Sequence, residues 1–334
     1  MNITLTNFQL RAIAALQEAM RGDKREIVLK SCTGSGKTII LTHFIDEYIK
    51  SNAKSVFVWL TPGKGNLEEQ SKAKMDTYVY GRATKLIEDV MTGGFEEGDT
   101  CFINWERLTK KGNTALKDGE RTNFLEHIEK ALHNGLIFKI VVDESHQNET
   151  IKANEIIEYF KADKIIRSSA TPSGYTDAVV IEVDEMDVII DGLIKKFLVI
   201  NQDFEQNIHA TNQVDYLLTR AMEKQEKLKY GFEKEETDVN PLVIVQLPDK
   251  GKGGDVLLDE VERWFETKEV TYENKRLAVW LADKKENLER IEQNNAVPIA
   301  LIIKQAVATG WDCPRAHILV KLRDIWKKFS RFKP

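Results

Sequence analysis

The stretch that most constrains this chain is "EIVLKSCTGSGKT", residues 26–38. An apolar run enters a glycine-bearing turn, and a helix-forming segment leaves it. The core of the turn, TGSGKT at 33–38, fits the end of the strand–loop–helix pattern that cradles phosphates. Gly34 and Gly36 let the backbone curl, so that N–H groups along Thr33, Gly34, Ser35 and Gly36 face an anion. Lys37 reaches terminal phosphates as a point charge, and Thr38 offers a hydroxyl to magnesium. The helix that follows from Ile39 aims its positive end at the same place. The first position of the pattern is Ser31 instead of glycine, which changes the turn but removes no phosphate donor.

A loop of that kind needs a strand before it and a helix after it, and the rest of the chain agrees. Strand candidates are EIVLKS (26–31), SVFVWLTP (55–62), DTCFIN (99–104), LIFKIVVD (136–143) and KIIRSS (164–169). They lack strict alternation, as expected for strands buried on both faces. Helix-like segments at 38–50 and 121–134 lie between them. Alternating strands and helices predict a parallel, doubly wound α/β sheet. Residues 205–237 are polar, mostly helix-forming and end in a charge run, which reads as a connecting helix and linker. Strand patterning resumes with PLVIVQLP (241–248), RLAVWLAD (276–283), PIALIIKQ (298–305) and HILVKL (317–322). The expected organisation is a first domain over 1–200, a connector over 201–238 and a partial second domain over 239–334. Few strands remain for a complete second sheet.

The charge balance, 48 basic against 53 acidic residues, excludes a wholly basic nucleic-acid coat but leaves room for a local basic groove. Cys32, Cys101 and Cys313 show no paired spacing, so reduced thiols in a cytoplasmic setting are expected, with no disulfide frame or zinc site. The start, MNITLTNFQL, lacks the basic head and apolar core of a signal peptide. The longest apolar run, AVPIALII at 296–303, is far short of the ~20 residues that span a bilayer, and no membrane association is expected.

The run VVDESHQNET (141–150) ends a buried strand in charge. Charge there is costly unless a ligand or metal uses it. Downstream of a phosphate loop, Asp143 is placed to be a second magnesium ligand, since magnesium takes few carboxylates plus water and phosphate oxygens. Glu144 is then the group that orients and deprotonates an attacking water.

DESH together with TGSGKT resembles the DExH branch of superfamily 2 helicases and translocases. Further segments fall in that family's order. NFQLRAI (7–13) looks like the upstream glutamine element, which implies that Gln9 reads the adenine edge. TPGKGNLEEQ (61–70) and NWERL (104–108) resemble strand-contacting motifs, which implies backbone contacts for Lys64, Asn104 and Arg107. SSATP (168–172) is similar to the element that couples hydrolysis to movement, through Ser169 and Thr171. KQAVATGWDCPRA (304–316) is more specific, and resembles the restriction (Res) subunit of type III restriction–modification systems. DGLIKKFLVIN (191–201) suits that family's exit from its first domain.

The resemblance implies two RecA-like domains with parallel sheets, the second incomplete, and ATP with Mg2+ at the cleft between them. It implies that His146 links hydrolysis to the DNA cleft, and that Gly310 and Asp312 approach the nucleotide from the second domain. Trp311 is read as packing instead of stacking on a base. The parent activity is ATP hydrolysis coupled to movement on double-stranded DNA, with a methyltransferase (Mod) subunit as partner. A different DExH helicase and a non-catalytic remnant that binds ATP or DNA remain open. The family's Q-x-x-G-R element is expected after "LRD", yet the chain reads RDIWKKFSRFKP, and no PD-(D/E)xK nuclease pattern follows. Back-translation of that tail in a displaced frame permits "FQTVG", so a frameshift near Ile325–Trp326 is one expectation; a deliberately shortened chain or a natural short relative is another. Weak or no turnover, and poor solubility from an uncovered second sheet, are expected with it.

Overall fold

The structure is a computed structural model of the 334-residue chain. It describes residues 4–62, 66–81, 83–109, 118–143, 154, 157–172, 174, 176–196, 198–200, 213–248, 253–304, 311 and 313–322. The chain divides into two compact units, Met1–Ile200 and Asn201–Pro334.

In the first unit, helix α1 (Asn7–Arg21) precedes strand β1 (Glu26–Lys30), and α2 (Lys37–Ser51) follows the glycine turn. Then come β2 (Ser55–Thr61), α3 (Leu67–Tyr78), β3 (Thr84–Leu86), α4 (Ile87–Gly93), β4 (Thr100–Asn104), α5 (Glu106–Thr109) and α6 (Asp118–His133). Strands β5 (Ile137–Val142), β6 (Lys164–Ser169) and β7 (Ala178–Glu182) and helix α7 (Glu185–Ile190) complete it. The sheet runs β3-β4-β2-β5-β6-β1-β7 with all pairings parallel.

Apolar side chains alternate between two cores. Ile27, Leu29, Trp59, Phe102, Val141 and Ile166 pack with α1 and α2 on one face. Val58, Leu60, Cys101, Ile140, Val142 and Ile165 pack with α4 and α6 on the other. Because both faces are covered, β2 is buried along its whole length, which is why these strands read as continuous apolar runs. Lysines inside the strands are neutralised locally: Lys139 pairs with Asp163, and Lys164 donates to the carbonyl of Lys24 at 2.7 Å.

In the second unit, α8 (Gln213–Lys234) leads into β8 (Leu242–Gln246), α9 (Gly253–Glu266), β9 (Leu277–Trp280), β10 (Lys285–Glu286), β11 (Ala300–Ile303) and β12 (Ala316–Lys321). The sheet order is β10-β9-β11-β8-β12. The two-residue β10 folds back antiparallel on β9, so this smaller sheet is mixed instead of purely parallel. Helices α8 and α9 cover one face through Leu218, Val261 and Phe265. Leu242, Ala278, Leu301 and Ile303 form a smaller cluster on the other face, closed by Ile291 and Trp311. Trp311 meets Trp280 edge-on at 5.9 Å, so it packs as the sequence led us to expect.

Candidate nucleotide site

The phosphate loop begins where β1 stops. Ser31 N–H donates to the carbonyl of Ser169 at 3.1 Å, continuing the ladder between β1 and β6. The chain then turns through Cys32–Ser35, with Ser35 N–H on the Cys32 carbonyl at 3.3 Å. Gly34 and Gly36 sit at φ +88° and +81°, the left-handed region that glycine enters without strain. Gly36 caps α2, and its carbonyl accepts from Ile40 N–H at 3.0 Å. The helix N-terminus therefore lies at the mouth of the loop, with Thr33 exposed and Thr38 partly so.

Ser31 has a use that a glycine would lack. Its hydroxyl spans the loop to the Ser35 hydroxyl at 2.5 Å, and both side chains are buried. Lys37 is nearly buried, and its Nζ donates to the carbonyls of Ser31 at 3.3 Å and Cys32 at 3.4 Å. The ammonium thus lies across the entrance of the loop. Burial, and next the carboxylate of Glu185, push the Cys32 thiol above its ordinary pKa, so it is a neutral neighbour of that charge.

Gln9 is also buried, and both ends of its amide are engaged. Its Oε1 accepts from Thr6 N–H at 3.1 Å, and its Nε2 donates to the Ser35 carbonyl at 3.3 Å. A Cβ on Gly36 would meet that Nε2 at 2.7 Å. Gln9 therefore braces the loop from α1. A second close approach comes from beyond α7: a Cβ on Gly34 would lie 2.8 Å from Ile194 Cγ2. Ile194 is β-branched and packed on the core, so it yields little. Gly34→Ala should combine that clash with a left-handed alanine costing about 1–2 kcal/mol. We expect nucleotide affinity to fall about tenfold, read by calorimetric titration.

At the carboxyl edge of the sheet, Asp143 follows β5, with its N–H on the Leu60 carbonyl at 2.9 Å. Val141, two residues back, faces the α1–α2 side, and alternation places Asp143 there as well. Ser169 is buried, and its Oγ accepts from Thr171 N–H at 3.1 Å in a tight turn after β6. The parallel sheet thus gathers the loop, Asp143 and the Ser169 turn along one edge, where ligands of open α/β sheets bind. Glu144, His146, Lys64, Gly310 and Asp312 lie outside the described residues.

Asn104 and Arg107 lie beside a groove of about 240 Å³ that Glu68, Glu69, Glu88 and Asp89 also line. Asn104 Oδ1 accepts from Glu106 N–H at 3.0 Å, and Arg107 pairs with Glu88. Among the described residues no group of three or more His, Cys, Asp or Glu is placed to hold a metal ion. Magnesium needs less, and the hydroxyl of Thr38 and carboxylate of Asp143 are the donor types it takes beside phosphate and water. No described helix is long and apolar enough to cross a membrane.

The family described as type III restriction enzyme, res subunit, matches residues 2–174. That is more than half of the 334-residue chain. The chain belongs to this family. It is a Res-like module built on a parallel α/β sheet. Among curated proteins, none matches it significantly. Among solved structures, this Res-family chain is similar to the ATP-dependent type ISP restriction-modification enzyme LlaBIII bound to DNA, at 12% identity and TM-score 0.59, over 96% of this chain and 26% of that one. A nuclease-deletion mutant of the type ISP enzyme LlaGI with a DNA substrate mimic matches at 12% identity and TM-score 0.40, over 67% of this chain and 22% of that one. S. cerevisiae Dbp5 bound to RNA and ADP BeF3 matches at 13% identity and TM-score 0.46, over 95% and 78%. The chain therefore spans about a quarter of the length of the type ISP enzymes.

Proposed function

We propose that this chain is the ATP-dependent motor module of a type III restriction subunit, binding MgATP on its first unit and using it to move on duplex DNA. The observation that carries this reading is the phosphate loop, with Lys37, the N-terminus of α2 and Asp143 converging at one sheet edge. In it Thr38 and Asp143 would hold magnesium, which would offset phosphate charge. Lys37 leaves the carbonyls of Ser31 and Cys32 for the phosphates. Glu144 takes the proton of the attacking water, and His146, Ser169 and Thr171 pass the nucleotide state to the nucleic acid. Gln9 holds the loop through Ser35 and keeps a second amide N–H with which to meet the adenine.

Family membership supports DNA as the track, and the similar fold of LlaBIII is seen bound to DNA; a duplex track and a Mod subunit that reads the site belong to the same proposal. Lys64, Asn104 and Arg107 are the proposed backbone contacts. The acidic groove makes a specific demand on Arg107, because Glu88 holds one of its nitrogens and repels an approaching phosphate. Glu88→Gln should therefore tighten duplex binding about threefold at low salt, with the gain fading as salt rises. Anisotropy titrations at two salt concentrations test this. The test of the whole reading starts with binding. MgATP should bind, and phosphate release, where measurable, should rise with duplex DNA. Release stimulated by RNA instead would favour a different DExH helicase.

A further inference from the structure

Ser168 is the residue in the sheet edge that the known motifs leave unused. It is fully buried in β6, and among the described residues its hydroxyl has no hydrogen-bond partner. A buried hydroxyl left unpaired is costly, and each such group calls for an explanation. The neighbouring Ser169 hydroxyl, by contrast, accepts from Thr171 N–H.

Register gives Ser168 its place. Arg167 pairs with Val142, so Ser168 stands abreast of Asp143 on the adjacent strand. On its other side it pairs with Leu29, two residues before Ser31. Adjacent strands lie about 4.8 Å apart. Ile166 and Val141 face the α1–α2 core, and alternation turns Ser168 and Asp143 to that same face. That is the side on which α2 begins at Lys37. Ser168 therefore stands in the row between the phosphate loop and Asp143. Thr42 and Trp59 also carry unpaired buried atoms, but Thr42 lies in the second turn of α2 and Trp59 in the body of β2.

We propose that Ser168 is a positioning residue on the cation side of the nucleotide site, where its hydroxyl holds a magnesium-bound water beside Asp143. This rests on the nucleotide-binding reading above. Magnesium keeps several waters when it binds nucleotide. Each metal-bound water carries two O–H donors that need acceptors. The Ser168 oxygen accepts one and donates its own O–H to the Asp143 carboxylate, which satisfies the hydroxyl twice.

Ser168→Ala in the full chain tests this, with calorimetric titrations of ADP with and without Mg2+, and thermal unfolding without nucleotide. The variant should unfold at or slightly above the wild-type midpoint, since it loses an unpaired buried group. Metal-free ADP affinity should be unchanged. The gain in affinity that Mg2+ confers should shrink about tenfold. An unchanged Mg2+ gain, an equal loss for ADP and MgADP, or a lowered midpoint would each overturn the proposal while leaving nucleotide binding intact. A wild-type chain that binds no nucleotide would overturn the parent reading as well.

Discussion

Lys37→Ala should lower MgATP affinity by about two orders of magnitude, roughly 3 kcal/mol. The ammonium is nearly buried and is held at the loop entrance by two backbone carbonyls at 3.3 and 3.4 Å. Neutral carbonyls are weaker partners than phosphate oxygens, so bound nucleotide draws the charge from them. Alanine removes that gain, and no other cation of the loop replaces it, because Ser31, Thr33 and Ser35 offer only hydroxyls and N–H groups. The fold should survive, since the Ser31–Ser35 bond and the Gln9 brace do not involve Lys37. Calorimetric titration measures the loss, and thermal unfolding of the unliganded variant checks the fold.

Arg315→Met should destabilise the second unit by about 3 kcal/mol or more. The guanidinium is fully buried, and among the described residues no acidic side chain bonds it. Burial pushes its pKa below the ordinary value, yet an arginine remains charged. What holds it is a set of carbonyls: Ile291 at 2.7 Å on Nε, and Asn240 at 2.7 Å and Pro298 at 2.8 Å on Nη1. These tie the entry to β8, the entry to β11 and the 287–296 loop to one side chain. Asn240 adds a bond from its N–H to the Asn294 carbonyl at 2.7 Å. Methionine fills much of the volume but removes a donor from three carbonyls, two of them buried. Lysine should rescue little, because one ammonium cannot span the fork. Hydrogen exchange should show β8 and β11 losing protection, with β1 and β2 unaffected. Equal protection in variant and wild type would refute the keystone role.

The contrast between these two residues shows what the sequence can carry. Lys37 was legible because its chemistry is local: a strand, two left-handed glycines and a helix start within a dozen residues. The long buried strands were legible for the same kind of reason, since covering both faces leaves an unbroken apolar run. Strand β7 has no such run. It lies at the sheet edge, with Val180 53% exposed, and pairs only with β1. The three-residue β3 is too short to show a pattern. Arg315 looks like any charged residue after a proline, and only tertiary packing reveals its burial. Gln9 was singled out, but its bond to Ser35 joins residues 26 apart, and the approach of Ile194 to Gly34 has no local mark. Ser31 was noted as a departure from the pattern, but its bond to Ser35 depends on the folded turn. Ser168 hid beside the better-known Ser169.

The central claim, that the first unit holds a working nucleotide site, is tested most directly by titrating the full chain with ADP in the presence of Mg2+. Saturation at one nucleotide per chain is expected, weakened by chelating the metal and lost in Lys37→Ala. Absence of binding, or binding that neither the chelator nor the Lys37 substitution alters, would contradict it.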